Sequence, residues 1–138
     1  MRDLPHRCTV VIEVPRGSFI KRELHGGNRV EFISPVPCPF NYGSVQGIAG
    51  PDGDPLDALV LGPRLRVGAR VTVRTWAVAA FVDAGIPDPK VVTGTHPPTA
   101  EDRLAVERFF RRYARVKHVA ARLRGKRGRT AFEGWEAL

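Results

Sequence analysis

Residues 9–14 run Thr-Val-Val-Ile-Glu-Val, a β-branched segment that reads as a strand and ends at Pro15-Arg16-Gly17-Ser18. Residues 20–24 predict a second strand and residues 29–34 a third, with His25-Gly26-Gly27-Asn28 as the hairpin turn between them. Residues 35–55 are rich in Pro and Gly and carry no periodicity. They predict a long irregular loop, and such loops in compact domains often carry function. Residues 58–61, Ala-Leu-Val-Leu, and the run 70–82 supply two or three more strands, punctuated by Gly62-Pro63 and Val67-Gly68.

The period then changes. Thr99 reads as a helix N-cap, with Asp102 three positions on to close a capping box. Leu104, Phe109, Tyr113, Val116, Ala120 and Leu123 recur at spacings of 5, 4, 3, 4 and 3, a helical stripe with arginines on the other faces. Gly125 marks the helix end, and residues 125–130 read as a mobile basic loop. Short strands followed by one helix predict an α+β domain, a small β-barrel with the helix docked outside. No boundary, repeat or long low-complexity tract interrupts residues 1–138, which predicts one domain.

Composition sharpens this. A chain of 138 residues with 43% hydrophobic content has enough apolar side chains for a core. No run of about 18 apolar residues exists, so no transmembrane helix is expected, and the N-terminus shows no secretory apolar region. The expected location is the cytoplasm, where Cys8 and Cys38 would be free thiols. His6, His25, His96 and His118 are scattered without metal-ligand spacing. The net charge is +8, and residues 101–129 hold 11 of the 22 Lys and Arg. Such a surface attracts polyanions without distinguishing nucleic acid from phosphorylated small molecules.

Against that basic background stands Asp52-Gly53-Asp54-Pro55-Leu56-Asp57, three carboxylates in six residues. Gly and Pro shape a tight turn, and like charges this close repel. A surface turn accounts for the residue types; a hard divalent cation, which prefers oxygen ligands, accounts for the charge. Asp83 and Asp88 are followed by Lys90, an alternation suited to metals and a polyanion together. Lys21 and Glu23 alternate on one face of a predicted strand. Only four lysines occur in the chain, so Lys21 and Lys90 beside acids stand out.

The sequence resembles the family I soluble inorganic pyrophosphatases. The resemblance is carried in order by Val11-Ile12-Glu13-Val14-Pro15, Ile20-Lys21-Arg22-Glu23, Pro39-Phe40-Asn41-Tyr42-Gly43 and Asp52-Gly53-Asp54-Pro55-Leu56-Asp57. It continues through residues 83–90, Phe109-Phe110 with Tyr113, and Glu133-Gly134-Trp135. It implies a five-stranded OB-like β-barrel with a C-terminal helix packed outside. It also implies magnesium-dependent hydrolysis of inorganic pyrophosphate to two orthophosphates, by in-line attack of a metal-activated water. Asp52, Asp57, Asp83 and Asp88 correspond to metal ligands for several Mg²⁺ ions, with Mn²⁺ as a substitute. Glu13 and Glu23 correspond to outer ligands acting through water, and Asp54 to the general base. Lys21, Arg29, Tyr42, Lys90 and Tyr113 correspond to groups that bind the two phosphoryl units. Bacterial relatives assemble as hexamers, so a homo-oligomer is implied.

The chain departs from the family pattern in five places. Between Arg29 and Tyr42 it is one residue longer, and a β-bulge would be needed to keep Arg29 in register. Cys38 stands where tyrosine is usual. The acids between Asp83 and Asp88 are missing. Ala114 follows Tyr113 where a lysine is usual, leaving Arg115 or Lys117 as substitutes. The sequence ends three residues after Trp135, where the family often continues as a helix. These departures spare the metal side and erode the phosphate side. The rival reading is therefore a catalytically weakened relative that binds phosphate compounds or a protein partner. A nucleic-acid module is disfavoured because the expected site face is acidic and offers no stacking platform.

Overall fold

The computed structural model describes residues 4–23, 29–33 and 37–138, with side chains described outside residues 20–36. Its elements are β1 (Arg7–Val14), β2 (Ile20–Glu23), β3 (Arg29–Ile33), β4 (Asn41–Ala49), β5 (Pro55–Val60), β6 (Arg70–Asp83), β7 (Ile86–Pro87), β8 (Lys90–Gly94), α1 (Ala100–Leu123) and β9 (Ala131–Glu136). Strands β1, β4, β5, β8 and β6 pair in that order, and β6 pairs back with β1, which closes a five-stranded barrel. Closure leaves no free edge among the five. The β5–β8 pair is parallel and the others are antiparallel. Strand β6 is long enough to carry β7 and β9 as extra partners, and β2–β3 forms a separate hairpin. The OB-like barrel with an external helix is thus the observed architecture.

Side-chain alternation gives the barrel two apolar layers. Val10, Ile12, Val45, Leu56, Ala58, Val60, Val73 and Val91 form one cluster. Their strand neighbours Val14, Tyr42, Leu59, Ala77, Ala79, Phe81 and Val92 form the other, together with Val106, Phe109, Phe110 and Ala114 of α1. The second layer is therefore the outer barrel face covered by the helix. It is rich in aromatics: Phe40 meets Phe109 edge-on at 5.2 Å and Phe110 at 5.9 Å.

Three sequence expectations need correction. Residues 41–49, expected as loop, form β4. Gly43, Ser44 and Gly47 conceal it, because they break the alternation by which a strand is recognised. Gly43 is required by packing: a Cβ there would lie 2.0 Å from the Val11 carbonyl oxygen. Second, α1 buries Val106, Phe109, Phe110 and Ala114, whereas Leu104 and Leu123 of the predicted stripe are exposed. The buried face runs through Val106, Phe109, Phe110 and Ala114, which turns Leu104 away from the barrel, and Leu123 lies beyond the covered part of the helix. Third, β8 and β9 lie beyond residue 82, where the predicted strands end. Every residue of β8 is buried, so Val91-Val92-Thr93 shows no polar alternation. The predicted Thr99 capping box is present, with Asp102 N–H donating to Thr99 Oγ1 at 3.1 Å and Thr99 N–H to Asp102 Oδ2 at 2.9 Å.

Among the described residues, no helix is long and apolar enough to cross a membrane.

Candidate active site

Strand register assembles the centre of the site. Ser44 pairs with Asp57 across β4–β5, and Asp57 pairs with Lys90 across β5–β8. Cross-strand partners share a face, so Tyr42, Ser44, Asp57 and Lys90 all project to the helix-covered side. Lys90 Nζ donates to Asp57 Oδ2 and to Asp88 Oδ2, both at 2.7 Å. The lysine side chain is only 1% exposed, while the two carboxylates keep 17% and 19%. The ammonium also lies 5.7 Å from the Tyr42 ring centroid and 5.6 Å from that of Phe81.

Burial in this setting shifts the titrating groups. Desolvation raises the Asp88 pKa above the usual carboxylate value, only partly opposed by Lys90. Burial alone would lower the Lys90 pKa, but Asp57 and Asp88 together raise it, so the ammonium stays charged. Tyr42 is pushed well above an ordinary phenol, first by burial and then by Asp57, to which its hydroxyl hydrogen-bonds.

A cleft of about 290 Å³ opens beside this centre, lined by Asp52, Asp83, Ala84, Ile86, Asp88, Lys126 and Arg127. Asp83 carries its own cation: Lys117 Nζ of α1 stands 3.2 Å from Asp83 Oδ2. That ammonium is 5.7 Å from the Tyr113 ring centroid, and Tyr113 in turn packs on Phe81 and stacks on Phe109. Burial pulls the Lys117 pKa down, but Tyr113 and Asp83 outweigh it and hold the group above an ordinary lysine.

The remaining predicted residues are placed as follows. Asp52 Oδ1 accepts from the Asp54 amide at 3.1 Å, fixing the turn, and Asp54 projects its carboxylate to solvent. Glu13 is buried at a bulge in β1, where the register slips between Ile12 and Val14, and its Oε1 accepts from Ser44 Oγ at 2.8 Å. Glu13 and Gly53 line a second cleft, of about 500 Å³, with Gln46, Gly47 and Arg70. The side chains of Lys21, Glu23 and Arg29 lie outside the described residues. The β2–β3 backbone does contain a one-residue slip at Glu31, since Lys21 pairs with Phe32 and Arg22 with Val30.

Sequence reasoning did not select Lys126 or Arg127 as site residues, and offered Lys117 only with Arg115 as a substitute for the lysine usual at position 114; of those two, Lys117 is the one paired with Asp83. The signal was present in the lysines, since Lys90, Lys117 and Lys126 all stand at this centre in a chain whose other cations are mostly arginine. The donor set around the cleft is entirely carboxylate oxygen, which suits a hard divalent cation. Among the described residues no three His, Cys, Asp or Glu side chains already converge at ligand distances.

The fold and site are those of a closed barrel with an outer helix and a cleft that brings Asp52, Asp83 and Asp88 together with Lys126 and Arg127, beside the buried Lys90. The sequence model of the inorganic pyrophosphatase family matches residues 10–133, and the chain belongs to that family. It is 34% identical over 101 residues to the inorganic pyrophosphatase of Gluconobacter oxydans, a match spanning 69% of this chain and 58% of that protein. It is 33% identical over 135 residues to soluble inorganic pyrophosphatase 2 of Chlamydomonas reinhardtii, spanning 84% and 70%. The inorganic pyrophosphatase of Thermus thermophilus superposes with a TM-score of 0.78 at 26% identity, covering 99% of this chain and 86% of that one. The chain thus spans 58% and 70% of the length of these two curated relatives. Membership implies a divalent metal cofactor.

Proposed function

We propose that the protein hydrolyses inorganic pyrophosphate to two orthophosphates, with Mg²⁺ as the metal and Mn²⁺ as a substitute. The observation that carries the reading is Lys90, a charged ammonium buried between Asp57 and Asp88 at the edge of a cleft that presents carboxylates and cations together. A site for a cation alone would have no use for Lys90, and a site for an anion alone would not gather Asp52, Asp83 and Asp88.

In this reading Asp52, Asp57, Asp83 and Asp88 hold the metal ions, and Glu13 and Glu23 steady them through water. A divalent metal held there would neutralise pyrophosphate charge and lower the pKa of a bound water. The chain's own groups do the rest. The Asp54 carboxylate accepts the proton from that water as its oxygen bonds to phosphorus and the bridging P–O bond breaks. Lys90, Lys21 and Arg29 stabilise charge on the transferring and departing phosphoryl groups. Tyr42, kept protonated by its raised pKa, donates a hydrogen bond to the leaving phosphate, and Tyr113 offers its hydroxyl from a ring fixed by stacking. A cytoplasmic location and a homo-oligomer belong to the same reading; exposed Val119 and Leu123 on α1 supply apolar surface for a second copy.

The test is phosphate release from pyrophosphate at millimolar Mg²⁺, native chain against Asp54→Asn. Release should fall about 10²- to 10⁴-fold in the variant, with unchanged thermal stability because Asp54 is exposed. Absence of release from folded native protein with either metal overturns the reading and leaves a phosphate-binding relative.

A further inference from the structure

We propose that residues 125–129 form a fixed cationic arm of the substrate pocket, through which Lys126 and Arg127 bind the phosphoryl oxygens of the substrate. The inference rests on the pyrophosphatase reading above and adds residues to its phosphate-binding side.

The sequence suggested a mobile loop here, but the backbone is held at both ends. At the helix end, the Gly125 amide donates to the Arg122 carbonyl at 3.0 Å and the Lys126 amide to the Ala121 carbonyl at 2.8 Å. Gly125 sits at φ +73°. This is the doubly bonded glycine stop that fixes the direction in which a chain leaves its helix. At the far end, the Arg129 carbonyl accepts from the Gly85 amide at 2.8 Å, and Thr130 Oγ1 accepts from the Ala84 amide at 2.9 Å. In between, Gly128 lies flat against the 83–86 turn: a Cβ there would stand 2.7 Å from the Ala84 carbonyl carbon and oxygen. The receiving turn is itself special, with Ala84 at φ +49° and Gly85 at φ +83°.

These bonds hold Lys126 and Arg127 where they line the cleft together with Asp52, Asp83 and Asp88. Carboxylates alone would repel a multiply charged anion, so substrate binding needs cations in the same wall. A lysine point charge beside an arginine fork suits phosphoryl oxygens. The need is greater here because position 114, one residue beyond Tyr113, is an alanine buried against the aromatic layer. The arm reaches the cleft from the far end of the same helix.

The experiment measures kcat and KM for pyrophosphate in the native chain, Lys126→Ala/Arg127→Ala and Gly128→Ala, and affinity for imidodiphosphate, a non-hydrolysable analogue, by calorimetry. The double variant should lose about 10- to 100-fold in kcat/KM, mainly through KM, as expected for two charge-assisted hydrogen bonds. Gly128→Ala keeps both cations but cannot seat the loop, and should shift KM the same way, at some cost in thermal stability because its Cβ meets the Ala84 backbone. A native enzyme whose KM is unchanged in the double variant overturns the arm and leaves the pyrophosphatase reading intact. A native chain that releases no phosphate, yet binds imidodiphosphate through Lys126 and Arg127, supports the arm and overturns the hydrolytic reading.

Discussion

Lys90 Nζ and Asp57 Oδ2 meet at 2.7 Å across the parallel β5–β8 pair, where the two residues are register partners. Asp88, two residues from Lys90, takes a second hydrogen bond of the same length. Removing the lysine leaves two partly buried carboxylates facing each other, which costs more than the pair contributes when intact. Lys90→Met should therefore destabilise the fold by about 3 kcal/mol, and Asp57→Asn by less, since Asp88 still partners the ammonium. The double variant should be markedly less destabilised than the sum of the two. Urea unfolding of the four proteins checks this, and simple additivity would mean that the contact contributes nothing specific.

Gly43 shows how the backbone positions the site. Its missing side chain lets β4 approach β1 where Glu13 bulges out and meets Ser44. Gly43→Ala would have to separate the strands, because the clash is with backbone at 2.0 Å. A loss of about 3 kcal/mol is expected, the upper end of what overpacking usually costs. A melting temperature within a degree or two of native would show that the pair can open at no cost.

Legibility in the sequence followed the physics of each element. Strands β1 and β6 were readable because β-branched runs mark them, and α1 because Thr99 and Asp102 cap it. Strand β4 was hidden by glycines that exist for a tertiary contact, and β8 by being buried on both faces. At the site, Asp52, Asp57, Asp83, Asp88 and Lys90 were legible as an odd concentration of charge. Lys117 was legible only as one of two substitutes, and its ion pair with Asp83 singles it out. Lys126 and Arg127 were not legible, because they lie in an exposed Arg-rich stretch and only the docking of residues 125–130 on the 83–86 turn separates them from that background.

The thiols give a pH prediction. Burial pushes Cys38 up to about 12 from 9.0, against a weaker opposing hydrogen bond from the Phe40 backbone, and raises Cys8 as well. Both thiols are therefore neutral in the folded chain at pH values where the unfolded chain has lost their protons. Stability is fully present below the unfolded value near pH 9 and falls between 9 and about 12, by about 1.4 kcal/mol per pH unit for each fully titrating group. Cys38→Ala should flatten that decline in urea unfolding between pH 8 and 10, at some cost in core packing. A native slope equal to that of the variant would mean that Cys38 ionises in the folded state.

Lys117 separates structure from substrate binding. Its ion pair with Asp83 is about one-third exposed on each side, so its stability contribution is small, at most about 1 kcal/mol. Its location is what gives it consequence: it neutralises a carboxylate of the cleft and stands against the Tyr113 ring, one helical turn beyond the buried Ala114. Lys117→Met should thus leave thermal unfolding within about 5 °C of native while raising KM for pyrophosphate severalfold and weakening its dependence on ionic strength. Lys117→Arg should restore stability more fully than KM, because a guanidinium fork does not reproduce an ammonium at a crowded centre. If stability falls steeply and KM does not move, Lys117 serves the helix–turn contact alone, and the cations of the cleft reduce to those on β8 and the docked arm.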